Sequence, residues 1–259
     1  MTNRKLLLLI VVSVSSVAAV FSLPPLMQDP LYHLFADRRS MLGLSNALDV
    51  LSNLPFILIG FYGLWRSWQP GRLCLLPRIG YLYRIFFTAV ILIGLGSWNY
   101  HLQPDNHSLV WDRLPMTLAF MAFFSIVLAE YISVRIAVLL FPWLAFCGLF
   151  SVAYWAWTES LGQGDLRLYL LVQFLPVLLT PLILRIGRSP FDRSGHYWLI
   201  IACYLVAKLF EYLDAELFEL LTLVSGHTLK HLTSGLAVAV FVHMLLYRCQ
   251  RAPTDRQGT

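Results

Sequence analysis

Charged residues are scarce in this sequence of 259 residues: Asp, Glu, Lys and Arg make up 13% of it, against 58% hydrophobic residues. An ordinary soluble domain carries about twice that charged share, so the composition excludes a chain whose main solvent is water. The sequence also lacks internal repeats, long linkers and, before the polar residues after Arg251, low-complexity tracts. We therefore expect a single unit that is embedded in a membrane.

The cysteines do not indicate a structural role. The sequence has four cysteines, at positions 74, 147, 203 and 249, and no pair has Cys-x-x-Cys spacing. Two of them fall on the cytoplasmic side of the topology predicted below. This pattern indicates neither a disulfide framework nor a thiolate metal site.

Long apolar runs are abundant. A helix that spans a bilayer needs roughly 20 apolar residues, and the chain offers about eight such stretches, separated by short breaks rich in Pro and Gly. The sequence therefore predicts an all-α, polytopic transmembrane helix bundle. The predicted stretches lie near residues 6–23, 46–65, 81–101, 112–132, 136–156, 168–186, 196–215 and 228–247.

The first run has two interpretations. Asn3-Arg4-Lys5 followed by apolar and then small residues fits an uncleaved anchor or a cleavable signal peptide. The run continues to Leu23 without a clean cleavage site, which favours the anchor. The next helix starts on the same side of the membrane in either case.

The net charge of +5 could indicate an acidic partner such as nucleic acid, but the positions of the basic residues argue for another role. With the amino terminus in the cytoplasm, most of the 19 Lys and Arg residues fall in cytoplasmic segments. This asymmetry follows the positive-inside rule, so it orients the protein and predicts no nucleic-acid partner. Both termini are then cytoplasmic if the first helix is not cleaved. The outer segments hold Arg38, Arg39, Arg113, Arg167 and Lys230.

Ionisable side chains are expensive inside spanning segments, and several collect at the predicted outer ends. His101 ends one stretch, Asp112 begins the next, and His227 and His231 begin the last. Histidines four residues apart project from one helix face about 6 Å apart, which is a chelating arrangement for zinc. His101 completes a three-histidine site with one open position, the pattern typical of catalytic zinc, on the non-cytoplasmic side.

Each of these residues also has an ordinary interpretation. A histidine at a membrane interface is usually a hydrogen-bonded surface residue. Asp112 alone fits a helix N-cap, and Ser97 alone fits a hydroxyl bonded to its own helix. Spacing and shared depth together favour the metal site.

The other histidines are predicted not to bind the metal. His243 follows His231 by twelve residues, which places it roughly 18 Å deeper at the helical rise. His33, His107 and His196 lie in predicted loops or at helix ends.

Four motifs carry a resemblance to a known family: Ser-Asn-Leu-Pro at 52–55, Gly-x-Gly-Ser-Trp-x-Tyr-His at 94–101, Trp-Asp-x-Leu-Pro-Met at 111–116 and His-x-x-x-His at 227–231. In these motifs the chain resembles the alkaline ceramidases and the wider seven-helix membrane hydrolase superfamily, which includes progestin/adipoQ-type receptors and GPI-remodelling lipases. The resemblance spans residues 46–248 and implies three parts: an anchor or signal helix with an outer loop at 1–45, a seven-helix core at 46–248 and a polar cytoplasmic tail at 249–259.

The resemblance implies a function and site roles. In that family three histidines bind zinc, and the matching positions are His101, His227 and His231. Asp112 is implied to orient or deprotonate the zinc-bound water, and Ser97 to stabilise the oxyanion. The implied activity is a zinc-dependent amidohydrolase of the membrane that cleaves the N-acyl bond of a ceramide-like lipid, giving a fatty acid and a long-chain base.

Two departures from the family pattern affect cofactor and substrate. The stretch at 32–39 lacks the acidic, Trp-containing calcium segment of the ceramidases. Asp37, Asn46 and Asp49 offer hard oxygen ligands, but three scattered oxygens are ordinary there, so zinc is the predicted ion and calcium a lesser alternative. Lys230 replaces an aromatic residue that the family has between the two histidines of the last motif. This replacement could change which lipid headgroup the pocket accepts.

The predicted helix at 196–215 carries Lys208, Glu211 and Asp214 at steps of three, all facing one way. A charge network buried in the bundle explains this pattern, with Lys208 neutralised by one of the acids. The functional alternative is a set of residues supporting or gating the zinc site, because Asp214 is nearest the outer face.

Three other functions remain open. A lipid esterase or another N-acyl lipid hydrolase uses the same chemistry. A non-enzymatic seven-helix lipid receptor is disfavoured because a structural zinc needs neither Ser97 nor Asp112. A haem protein expects histidines on opposed helices in the membrane core, which the spacing of His227 and His231 fits poorly. Protein partners are not indicated.

Overall fold

A computed structural model of the protein describes residues 3–41 and 43–250. Within these ranges the regular structure is helical and contains no β-strand, which confirms the predicted all-α bundle. In chain order the α-helices are α1 (Asn3–Phe21), α2 (Ala47–Leu51), α3 (Leu54–Trp68), α4 (Gly80–Leu102), α5 (Asn106–Tyr131), α6 (Val134–Ser160), α7 (Arg167–Ile186), α8 (Gly195–Tyr212), α9 (Asp214–Leu221) and α10 (Gly226–Tyr247).

Seven stretches of the described chain are long and apolar enough to cross a membrane, as expected of a multi-pass membrane protein. α8, where the sequence predicted a further span, is not among them. It has 18 residues and carries Lys208 and Glu211 towards its carboxyl end, which lowers its hydropathy. The seven stretches are Asn3–Phe21, Ala47–Trp68, Pro77–Leu102, Asn106–Tyr131, Val134–Ser160, Arg167–Ile186 and Gly226–Tyr247.

The first helix lies at the periphery of the bundle. α1 packs against α7 and buries one side chain, Leu9, among its described residues. Lys5 Nζ donates to the carbonyl of Ile186 at 2.9 Å, so the two helix ends meet on one face of the bundle. The predicted polar tail, 249–259, lies outside the described residues beyond Gln250.

α4 and α5 form the centre, and their closest approach is set by a glycine. A Cβ on Gly96 would clash with the backbone of Trp111 and Asp112. Only a residue without a side chain lets the two backbones come this near. The approach brings the carboxyl-terminal part of α4 against the turn of α5 that carries Asp112.

The second spanning stretch is broken between α2 and α3. Pro55 has no N–H, and its ring is incompatible with a helical carbonyl four residues earlier, so a continuous helix is interrupted there. Ser52 Oγ and Asn53 Nδ2 instead donate to the carbonyl oxygen of Asp49, at 2.9 and 2.8 Å. The break turns these short polar side chains into the bundle, where both are buried.

Two predicted helix boundaries were wrong. α5 begins at Asn106 because Asp105 and Ser108 form a capping box, with reciprocal bonds of 2.6 and 3.1 Å. Asp112 is therefore inside the helix and is not its N-cap. The predicted helix at 196–215 ends at Tyr212, and Asp214 is the first residue of the separate helix α9.

Candidate active site

Three histidines meet where α4 ends and α10 begins. The side chains of His101, His227 and His231 are buried, and each offers a ring nitrogen, all within 4.8 Å of one another. Their ring centroids are 4.8 to 4.9 Å apart. This is the convergence that the helical spacing predicted, and the cluster is a group that could hold a metal ion.

Neighbouring polar groups orient the histidines. His231 Nδ1 lies 2.8 Å from Ser52 Oγ and 3.2 Å from the Asp49 carbonyl, so its N–H has two acceptors. This leaves Nε2 as the nitrogen without a proton. Donation from the second ring nitrogen fixes the tautomer and increases the ligand strength of the first. The break after α2 thus supplies the acceptors for a histidine on α10.

The backbone around the other two histidines is also fixed. Asp214 Oδ1 accepts from the backbone N–H of His227 at 2.6 Å, which satisfies a donor in the first turn of α10. Asn46 Nδ2 donates to the carbonyl oxygen of His101 at 2.8 Å, near the carboxyl end of α4. Side chains that the sequence treated as candidate ligands or charges therefore hold the ends of the two helices.

The three imidazole nitrogens fit zinc, because neutral histidines are common zinc ligands and three of them form a known type of zinc site. His101 Nδ1 is buried and makes no hydrogen bond to any described residue, which a metal would remedy. Lys230 Nζ lies 3.2 Å from His227 Nε2 and 2.8 Å from Glu211 Oε1. The Lys230 ammonium group therefore lies beside a candidate ligand nitrogen while it is paired with Glu211.

Ser97 and Asp112 lie beside the cluster and interact with each other. The Ser97 hydroxyl lies near the Asp112 carboxylate, and both line a cavity that also reaches His231. The cavity has a volume of about 490 Å³. Beyond its polar end the wall is mainly apolar, as in Phe86 and Val90. A cavity of this size and character suits a small lipid.

A charge network closes the polar end of the cavity. Glu211 accepts from Lys208 Nζ at 2.6 Å and from Lys230 Nζ at 2.8 Å. The Tyr32 hydroxyl donates to the same carboxylate at 3.4 Å. Burial, followed by the charge of Glu211, raises the pKa of Tyr32, which keeps the phenol protonated and able to donate. Glu211, more than Asp214, neutralises Lys208.

The loop before α2 folds over this region. Ala36 N–H donates to Asp214 Oδ2 at 3.0 Å. Asp37 forms an ion pair with Arg39 at 2.7 Å, and the Arg39 guanidinium lowers the pKa of that carboxyl group. Asp49 Oδ1 accepts from Thr228 Oγ1 at 2.6 Å. Of the three candidate calcium residues, Asp37 is thus paired with Arg39 and Asn46 uses its amide nitrogen, whereas Asp49 Oδ2 is buried without a hydrogen-bond partner among the described residues.

The remaining histidines lie apart from the cluster. His33 hydrogen-bonds Tyr100 and Asn106, each at 3.0 Å. His196 and His243 stack on each other, with ring centroids 5.5 Å apart. Among the described residues, neither these three nor His107 belongs to a cluster of possible metal ligands.

Sequence reasoning missed the role of Ser52 as the partner of His231. The Ser-Asn-Leu-Pro motif was noted, but its contact with α10 spans 179 residues and has no local signature. The polar pair followed by proline inside an apolar stretch was the usable signal, because such a break must satisfy its backbone through side chains.

A family model described as Ceramidase matches residues 44–210, which is more than half of the chain. The chain belongs to the ceramidase family. Membership confirms the resemblance seen in the motifs and assigns this protein a hydrolase activity towards ceramides in general terms. A search of curated proteins found no match. The matched ceramidase region contains Ser52, Ser97, His101 and Asp112 and ends before His227 and His231.

Proposed function

We propose that this ceramidase-family protein is a zinc-dependent hydrolase that cleaves the N-acyl amide bond of ceramide-like lipids. The products are a fatty acid and a long-chain base. One observation carries the proposal: three buried histidines lie at the polar end of an apolar cavity that Ser97 and Asp112 also line.

The cavity determines how a lipid is held. Its apolar wall takes hydrocarbon chains, because burial removes about 25 cal/mol of unfavourable free energy per Å² of apolar surface. The polar end then receives the amide and the headgroup. An acyl chain held in this way places the amide beside Ser97, Asp112 and His231, which line the same cavity.

His101, His227 and His231 are the residues that would hold zinc, and the ion supplies Lewis-acid activation of water and of the scissile carbonyl. Asp112 takes the proton of the attacking water while the oxygen bonds to the carbonyl carbon. Once protonated, Asp112 can donate to Ser97 Oγ, and Ser97 is then free to direct its hydroxyl proton elsewhere. Its own proton can then stabilise the oxyanion.

Asp112 also completes the reaction. When the oxyanion collapses, the carbon–nitrogen bond breaks and the amine nitrogen takes the proton held by Asp112. The acyl group leaves as a carboxylic acid and the base as a free amine. Asp112 thus returns to its charged form.

The test of metal dependence is elemental analysis of purified protein together with ceramide hydrolysis. Wild type should contain about one zinc per chain, as expected for one three-histidine site. His231→Ala removes a ligand, so we expect zinc content and hydrolysis to fall together.

His243→Ala is the matched control, since His243 is on the same helix but stacks on His196. It should keep both zinc and activity. Near-stoichiometric zinc in His231→Ala and in His227→Ala would refute the assignment, and so would ceramide hydrolysis that survives complete removal of metal by a chelator.

A further inference from the structure

The cavity wall contains a buried arginine that forms no ion pair with any described carboxylate. Arg113 on α5 is 5% exposed and lines the cavity. Its Nη2 donates to Gln28 Oε1 at 2.7 Å, whereas Nη1 is buried without a hydrogen-bond partner among the described residues. None of the ion pairs found within residues 3–41 and 43–250 includes Arg113.

Aromatic rings surround the Arg113 guanidinium. Its central carbon lies 4.4 Å from the ring centroid of Trp155, 4.7 Å from Tyr169 and 5.6 Å from Tyr32. Ring faces attract a cation and hold it in place, but they bring no negative charge. A buried cation in a membrane protein is costly and is usually paired, so an unpaired one indicates a missing counter-ion.

The acidic groups of the cavity are already engaged. Glu211 is shared by two lysines, and Asp112 interacts electrostatically with Lys230 and Arg113 without forming an ion pair to either. Asp29 accepts from the backbone N–H of Leu31, where it caps a short 3-10 helix. A metal ion on the histidines would make the lining still more positive. No described carboxylate therefore contacts the Arg113 guanidinium, and its Nη1 is left without a hydrogen-bond partner among the described residues.

We propose that Arg113 is a substrate-binding residue, and that its guanidinium binds an anionic group, a phosphate or a carboxylate, on the polar end of the N-acyl lipid. The inference rests on the proposed function, because it concerns the substrate of that site. Tyr32 links Arg113 to the charge network, since its ring faces Arg113 and its hydroxyl reaches Glu211. Lys230, which departs from the family pattern, also lines this cavity, where it pairs with Glu211.

The test compares the binding of matched lipids to the purified full chain. The probes are ceramide analogues in which an ether replaces the scissile amide, with a terminal hydroxyl, phosphate or carboxylate. Wild type should bind at least one of the two anionic analogues about tenfold or more tightly than the neutral one, since a hydrogen bond to a charged group contributes that much. Arg113→Met should lose the preference. Arg113→Lys should keep only part of it, because an ammonium cannot bind bidentately.

Arg84→Met is the matched control. The Arg84 guanidinium also stacks on an aromatic ring, 3.7 Å from the centroid of Trp68, and it does not line the cavity. This variant should keep the full preference. Equal affinity of wild type for all three analogues overturns the proposal. A preference for the anionic analogues that persists in Arg113→Met also overturns it. If Arg113→Met does not fold, an unchanged preference in Arg113→Lys overturns the proposal instead.

Hydrolysis of the corresponding amides separates this inference from the proposed function. Zinc-dependent cleavage of neutral ceramide without any anion preference in binding or turnover leaves the proposed function standing and overturns the role of Arg113. An Arg113-dependent preference in binding, without hydrolysis of any amide, supports the role of Arg113 and overturns the proposed hydrolase.

Discussion

At the scale of single residues, the proposed chemistry depends most directly on Asp112. Asp112→Asn keeps the size of the side chain but removes the charge that takes up a proton. General-base contributions are typically 10²- to 10⁴-fold, so we expect ceramide hydrolysis to fall by at least about a hundredfold. Zinc content should stay near that of wild type, because the histidines are unchanged. Ser97→Ala should lose less, since one donor among several is removed.

Asp105→Asn is the control for Asp112→Asn. Asp105 caps the same helix from its outer end, and asparagine can cap in the same way. Its activity should match that of wild type in the same assay. If Asp112→Asn hydrolyses ceramide within about threefold of wild type, against the general-base range, another group takes the proton.

Ser52 acts through His231, so its removal should weaken the binding of metal. Ser52→Ala deletes the acceptor 2.8 Å from His231 Nδ1 and leaves the Asp49 carbonyl at 3.2 Å. Loss of such a partner typically costs 10- to 100-fold in metal affinity or activity. Because one acceptor remains, we expect about tenfold lower zinc affinity, measured by competition with a chromogenic chelator.

The control for Ser52→Ala is Ser67→Ala on α3. Ser67 is buried too, but its hydroxyl donates only within its own helix, to Leu64 at 2.6 Å. Its zinc affinity should equal that of wild type. Identical affinities in the two variants would mean that Ser52 does not hold the ligand.

At the scale of single residues, the sequence predicted which histidines come together but few of the hydrogen bonds and ion pairs around them. The helical step between His227 and His231, and the shared depth of His101 and Asp112, were enough to bring those residues together. The partner of His231 was not predictable, because it depends on how the break after α2 meets α10. The sharing of Glu211 by two lysines likewise depends on the packing of α8 against α10.

At the scale of helices, the contact of α4 with α5 sets the position of Asp112. Gly96→Ala should force the two backbones apart, since a Cβ there would meet the backbone of Trp111 and Asp112, which cannot rotate away. Overpacking of this kind typically costs 1–3 kcal/mol. We expect about that loss in the free energy of unfolding, measured with denaturant in detergent micelles, and a lower kcat for ceramide.

Gly80→Ala is the control for Gly96→Ala. A Cβ on Gly80, at the start of the same helix, would meet nothing within 4 Å. Alanine favours helix by about 1 kcal/mol over glycine, so this variant should be as stable as wild type or more so. Equal stability of Gly96→Ala and Gly80→Ala would contradict the close approach.

Most of the helices were predictable, because a membrane-spanning helix requires a long apolar run that is visible in the sequence. Their ends were less so. α5 starts six residues before the predicted boundary, since Asp105 and Ser108 satisfy its first turn in a segment that hydropathy treats as a loop. The predicted helix at 196–215 became α8 and α9 because Asp214 accepts from Ala36 and from the first turn of α10. Such tertiary hydrogen bonds leave no trace in local periodicity.

At the scale of the whole molecule, the two ends of the helix bundle carry different polar groups. The histidine end is covered by the loop after α1, where Leu26 accepts from the N–H of Leu166 at 2.8 Å. The other end holds a buried ion pair of 2.8 Å between Arg248 and Glu130. The Tyr83 and Tyr197 hydroxyls donate to the same carboxylate at 2.7 and 2.8 Å. A reagent applied from one side of the membrane can therefore distinguish the ends.

The arginine asymmetry predicts that the histidine end faces away from the cytoplasm. Two exposed positions test this in chains whose other cysteines are replaced by alanine: the native Cys249 near the Arg248 end, and Gln163→Cys in the loop between α6 and α7. In intact cells a membrane-impermeant thiol reagent should label Gln163→Cys at once, and Cys249 only after permeabilisation. The chain without cysteines gives the background. The reverse pattern would place the histidines, and any product of hydrolysis, on the cytoplasmic side.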